Sequence, residues 1–221
     1  ETNQALGFSW TVGGVPTAVS ITLTAEGPKC LAALRHDVHG ALPYPREREL
    51  IDDHWRFVFG NLAAHLAGGD GIVLPDFADP SPTVTQVLVI DAPVDAVFQA
   101  LITPALVNAW FGAKASIIEP WVGGRYELGW QYQVDGRDVV GGPTHILEYV
   151  ENQRLVLDWP DWRGDDSVTG QTISFQLEPI DTRTRLTFVH AGFTRTADLS
   201  DFPFGWTWFL SQLRETVTAS T

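Results

Sequence analysis

Cysteine occurs once in this 221-residue chain, at Cys30, so an internal disulfide and a cysteine-rich zinc site are both excluded. A run of about 18 apolar residues is missing, and no basic-then-apolar leader opens the sequence, so membrane insertion is not expected. Positive charge is scarce. Fourteen basic residues stand against 27 acidic ones, for a formal charge of −13, which repels phosphate backbones and anionic lipid and disfavours nucleic acid as a partner. Lysine is confined to Lys29 and Lys114, a skew toward arginine that reads as composition bias rather than function. A single cysteine fits a reducing compartment, and the expected location is cytoplasmic.

Aromatic residues, by contrast, are abundant. Nine Trp and twelve Phe exceed the needs of simple packing, and flat apolar faces suit cavities that hold apolar or ring-shaped ligands. With 44% hydrophobic and 19% charged residues the chain has material for a full core.

Internal similarity organises the sequence. Val19 to Leu23 followed by Leu34-Arg-His36 can be laid over Ile173 to Leu177 followed by Phe188-Val-His190, with Val19 to Ile173 and His36 to His190 both 154 positions apart. Trp55 to Leu62 lies over Trp206 to Leu213 at an offset of 151, and Trp10 matches Trp159. Residues 1–68 therefore read as the C-terminal half of a domain whose N-terminal half is absent, 69–82 as a Gly/Pro/Asp-rich linker, and 83–219 as a complete domain. Such a half leaves a sheet edge and a helix face bare. The expectation is a fragment of a tandem protein of roughly 300 residues; completion of the half by another segment, or a homodimer, is the second reading.

In the complete copy, Thr83–Ile90 is β-branched and alternating, which predicts a strand. Asp91-Ala-Pro-Val-Asp95 predicts a helix start with an acidic N-cap and an early proline, and Val97, Phe98 and Leu101 form its apolar face. Thr103-Pro104 separates a second short helix, Ala105 to Phe111. Over Arg125–Val134, Tyr126, Leu128, Trp130, Tyr132 and Val134 alternate with polar residues, predicting one strand with a strongly aromatic face, and Asp135-Gly136 signals a hairpin. Further strands are predicted at 144–150, 154–159, 172–178 and 184–190, and a last helix at about 204–217 with Trp206, Phe209, Leu210, Leu213 and Val217 on one stripe. The class is α+β: a curved antiparallel sheet wrapped around a long C-terminal helix, with two short helices after the first strand.

Several stretches resemble a known family. Ala92 to Val97, Pro104 to Phe111, Trp121-Val-Gly-Gly-Arg-Tyr126, Glu151 to Leu155 with Trp159, and Thr184 to Phe193 before Gly205-Trp206 are similar to the START-like helix-grip (SRPBCC) superfamily. Within it they resemble the group of the C-terminal domain of the activator of heat-shock-protein-90 ATPase. The resemblance implies a cavity between the sheet and the C-terminal helix. It implies little about activity, because the fold hosts carriers, cyclases and resistance proteins.

Trp110, Trp121, Tyr126, Trp130, Tyr132, Trp159, Phe175, His190 and Trp206 are the candidate ligand-binding residues, with core filling as the alternative for each. His190 falls in phase with Leu186 and Phe188 and points inward, which makes it a weak catalytic candidate or a hydrogen-bonded core histidine. Arg125 fits a surface ion pair better than a ligand contact. His36 and His39 lack a third ligand for a metal, and Asp158 and Asp161 read as loop acids. No cofactor is expected. The leading function is binding or carriage of a small hydrophobic or aromatic molecule. A cyclase- or hydrolase-type enzyme and a protein-interaction or stress-response module are the alternatives.

Overall fold

The computed structural model of the chain describes residues 4–42, 47–72, 81–134, 136–161, 168–194, 199 and 202–219. Its elements run β1 (Ala5–Val12), β2 (Val15–Glu26), β3 (Lys29–Val38), α1 (Glu47–Leu66), β4 (Val84–Ile90), α2 (Val94–Ile102), α3 (Pro104–Phe111), β5 (Ile117–Ile118), β6 (Tyr126–Glu127), β7 (Trp130–Val134), β8 (Arg137–Gly141), β9 (Ile146–Val150), β10 (Arg154–Asp158), β11 (Thr172–Ile180), β12 (Arg183–Ala191) and α4 (Phe202–Thr218). They fall into two compact units, Glu1–Trp55 and Arg56–Thr221, with the division inside α1.

In the second unit, alternation decides which strand face is buried. Ile173, Phe175 and Leu177 of β11 and Leu186 and Phe188 of β12 are at most 2% exposed, while their neighbours face outward. The strands pair antiparallel in the order β4-β12-β11-β10-β9, and α4 packs on this sheet through Trp206, Leu210, Leu213 and Val217. These four lie on one stripe of the helix, and each such buried side chain contributes about 1.5–3 kcal/mol of transfer free energy. The sheet, the long C-terminal helix and the two short helices after β4 are those expected.

Pro93 caps α2 with φ −67° and ψ 156°, and no side chain bonds the helix end. Asp91 stands two residues outside the helix, so the acidic cap expected there does not form. The proline ring sets the entry angle instead, and Asp95 in the first turn faces the positive end of the helix. Pro104 cannot continue a helix from Thr103, and α2 and α3 meet at 86°. Among the described residues no single helix is long and apolar enough to cross a membrane.

The strand expected over 125–134 is split. Tyr126 and Leu128 are buried, but Gly129 adopts φ 70° and turns the chain, so β7 forms a separate hairpin with β8, with Trp130 still packed against the core and Tyr132 exposed. Val134 pairs with Arg137 across this turn, which holds Gly136 at φ 75°; Asp135 lies outside the described residues. Upstream, Gly123 takes φ 84°, and Gly124 approaches Glu119 so closely that a Cβ would collide with its carbonyl oxygen. The same glycines exchange hydrogen bonds with Ile146 at 2.7 and 2.9 Å. Gly124→Ala is therefore expected to cost about 1–3 kcal/mol of stability by overpacking, read as a fall in the denaturant midpoint. An unchanged midpoint would show that the 119–124 turn yields freely.

The first unit holds a three-stranded antiparallel sheet, β1-β2-β3, and the N-terminal part of α1. Its pairings recur 154 positions later. Val19 pairs with His36 as Ile173 does with His190, Ile21 with Leu34 as Phe175 with Phe188, and Leu23 with Ala32 as Leu177 with Leu186.

Candidate functional site

Tryptophan and tyrosine bring a polar tip into any core they fill, and a buried tip needs a partner. Trp110 Nε1 donates to the Ala100 carbonyl at 2.9 Å, and the Tyr126 hydroxyl donates to the Leu101 carbonyl at 2.7 Å. Burial raises the Tyr126 pKa, which keeps its hydroxyl a donor. Trp130 Nε1 reaches the Gly112 carbonyl at 3.3 Å, and Trp206 Nε1 donates to His190 Nδ1 at 3.0 Å. Trp159 differs. It is 5% exposed, and its buried indole N–H has no acceptor among the described residues.

His190 is fully buried in β12. Because Trp206 donates to Nδ1, the proton sits on Nε2, which donates to Gln171 Oε1 at 3.1 Å. Burial pushes its pKa down to about 3, so the ring is neutral at physiological pH with both nitrogens engaged. A general base needs a free lone pair, and this imidazole has none. The arrangement suits a tautomer-locked core histidine. A matching network lies in the first unit: Trp55 Nε1 donates to His36 Nδ1 at 3.1 Å, His36 Nε2 bonds Thr17 Oγ1 at 2.8 Å, and Thr17 Oγ1 donates to the Trp10 carbonyl at 2.7 Å.

The aromatic side chains around His190 touch one another. Trp206 lies 4.3 Å from Phe188, 5.1 Å from Trp159 and 5.9 Å from Phe111 between ring centroids. Trp110 meets Phe111 at 4.2 Å and Phe175 at 6.3 Å. Of the nine candidates the structure thus brings Trp110, Tyr126, Trp159, Phe175 and Trp206 into the core of this unit and buries His190 beside them. Trp130 is half-buried and stacks on Phe209 at 5.9 Å. Tyr132, on the hairpin beyond Gly129, and Trp121, in the turn before Gly123, are 38% and 55% exposed.

A cavity of about 410 Å³ lies at the ends of β10 and β11, lined by Leu147, Asp158, Trp159, Val168, Gln171 and Thr172 among others. Both Trp159 and Gln171, the partner of His190, belong to this wall. Asp158 is not a free loop acid. Its Oδ1 accepts from the backbone N–H of Thr144 at 2.7 Å and of His145 at 2.8 Å, and its Oδ2 accepts from the Thr144 hydroxyl, which pins the start of β9 to the end of β10. Gln171 carried no signal of its own, but it precedes His190 by 19 positions as Thr17 precedes His36, and the repeat could have exposed it. Arg125 pairs with Glu127 on the surface at 2.8 Å, as expected. Among the described residues no three metal-binding side chains converge.

A five-stranded antiparallel sheet packed on a long C-terminal helix, with two short helices after its first strand and an aromatic core between, defines the START-like helix-grip class. Residues 91–218 match the family model described as Activator of Hsp90 ATPase homolog 1-like protein, and the chain belongs to that family. Solved structures share the fold. Protein MLL2253 from Mesorhizobium loti has a TM-score of 0.50 at 22% identity, covering 63% of this chain and 98% of that one. CalU16 from Micromonospora echinospora has a TM-score of 0.50 at 21% identity, covering 65% and 82%. The Aha1 of Colwellia psychrerythraea, solved as a dimer, has a TM-score of 0.49 at 22% identity, covering 61% and 95%. No curated protein is significantly similar in sequence.

Proposed function

We propose that the domain of residues 83–219 binds a small, largely apolar or aromatic molecule carrying a hydrogen-bond acceptor, seated in the cavity beside Trp159. The observation that carries this reading is the unsatisfied Trp159 N–H. Every other buried indole or phenol tip among the candidates has found a protein acceptor, and a lone buried donor costs about 1–3 kcal/mol. A ligand carbonyl or ether oxygen would recover that cost, with a small adjustment of the Trp159 ring on entry. The cavity volume falls in the range typical of small-molecule sites. Leu147, Val168 and the Trp159 ring offer it apolar surface, and Gln171 adds an amide. An enzymatic role for His190 gains no support, since its two nitrogens are already committed.

Native mass spectrometry of the gently purified chain tests the proposal. The expected result is a retained small molecule released on activation and lost from Trp159→Phe. That variant should stay within about 1.5 kcal/mol of the parent in stability, because it removes a donor that bonds nothing among the described residues. A chain that carries no added mass, or equal retention by Trp159→Phe, would sink the assignment.

A further inference from the structure

We infer that the sheet of β1–β3 is a docking platform for a polypeptide segment built as a strand followed by two short apolar helices, of the kind that β4, α2 and α3 supply to the five-stranded sheet. Two observations meet here. The first is the shared register. Matching pairings place Leu6, Ile21 and Leu34 in one row, as Leu155, Phe175 and Phe188 stand in theirs, with Leu23 opposite Ala32 beyond them. The second is exposure. Leu6, Phe8 and Leu23 are 58%, 41% and 43% exposed, whereas Leu155, Leu157 and Leu177 are at most 2% exposed.

What covers the second face is known. Along β12, β4 pairs from Thr184↔Ile90 to His190↔Val84, and α2 and α3 lie in the same core. Along β3, no strand among the described residues occupies the equivalent edge. An open edge beside an uncovered apolar face recruits a strand, because unpaired N–H and C=O groups seek partners in register. Thr184 donates to the Ala92 carbonyl in the covered sheet, and its counterpart Cys30 is exposed. The occupant is specified further by size. Ala32, Leu34 and Ile21 stand where the other sheet has Leu186, Phe188 and Phe175, so the occupant must carry bulkier apolar side chains than β4, α2 and α3 do. Within residues 84–218 such a strand and helix pair precede the sheet they cover, so the occupant is a strand-helix-helix segment entering along the open edge of β3.

Cys30 is the only thiol and serves as the reporter. The experiment compares Ellman-reagent reactivity of Cys30 and hydrogen exchange of β3 in the 221-residue chain and in a chain with residues 83–153 duplicated immediately ahead of Ala5. In the 221-residue chain Cys30 should react fast and β3 should exchange faster than β12. In the extended chain both should slow by roughly tenfold or more. No slowing in a folded extended chain overturns the inference. Protection in the 221-residue chain that grows with protein concentration also overturns it, by assigning the face to a second copy. Should the extended chain fail to fold, Leu23→Lys in the 221-residue chain decides: an unchanged melting temperature supports an uncovered face, and a steep fall overturns it.

Discussion

Trp206→Ala is expected to destabilise the second unit, Arg56–Thr221, by about 3–5 kcal/mol, the cost of emptying a fully packed indole site. Trp206 is 2% exposed and joins α4 to the sheet, with Phe188, Trp159 and Phe111 around its ring. Truncation removes those contacts and leaves a cavity that a sheet and a helix cannot both close upon. It also strands His190 Nδ1, whose donor is the Trp206 N–H at 3.0 Å. Trp206→Phe separates the two effects. Most of the ring volume stays, the hydrogen bond is lost, and about 1–3 kcal/mol should go with it. Guanidinium unfolding followed by far-UV circular dichroism measures both. A loss below about 1 kcal/mol for the alanine variant would mean that the ring cluster is not packed as a unit.

The second large effect is a dependence of stability on pH that runs through His190. Its native pKa of about 3 lies below the ordinary histidine value of 6.5, so the folded state resists the proton that the unfolded chain accepts. Above pH 6.5 both states are neutral at this site and stability is flat. As pH falls from 6.5 toward 3, stability is lost at about 1.4 kcal/mol per pH unit, or about 2 kcal/mol between pH 6.5 and 5. Burial also lowers the pKa of His36 and of His54, which adds loss of the same sign in the first unit. The His190→Gln variant isolates the larger contribution. It should be less stable at pH 7, yet lose about 2 kcal/mol less than the parent on going to pH 5. Equal losses in parent and variant would show that His190 takes its proton without opening the core.

Much of the fold was legible in the residues. The alternation of Ile173, Phe175 and Leu177, the break at Thr103-Pro104 and the stripe from Trp206 to Val217 each express a local period that backbone geometry enforces. The aromatic strand was half legible. Its alternation runs unbroken through Trp130 and Tyr132, but Gly129 in the left-handed region redirects the chain, and periodicity carries no information about a turn that preserves its phase. Asp91 misled for a similar reason, since an acid before a proline has the composition of a cap without its position.

For this protein the sequence by itself determined the α+β class, the inward faces of β11, β12 and α4, the correspondence of His36 with His190, and the family resemblance, because each depends on residue type and spacing alone. Tertiary structure decided which polar tips were satisfied. The acceptors of Trp110, Tyr126 and Trp130 are backbone carbonyls of Ala100, Leu101 and Gly112, and a carbonyl belongs to every residue, so no side-chain pattern marks the ones that will be in reach. The same holds for the gap. Trp159 looks like its neighbours in sequence, and only packing left its N–H without an acceptor among the described residues, in the wall of a cavity.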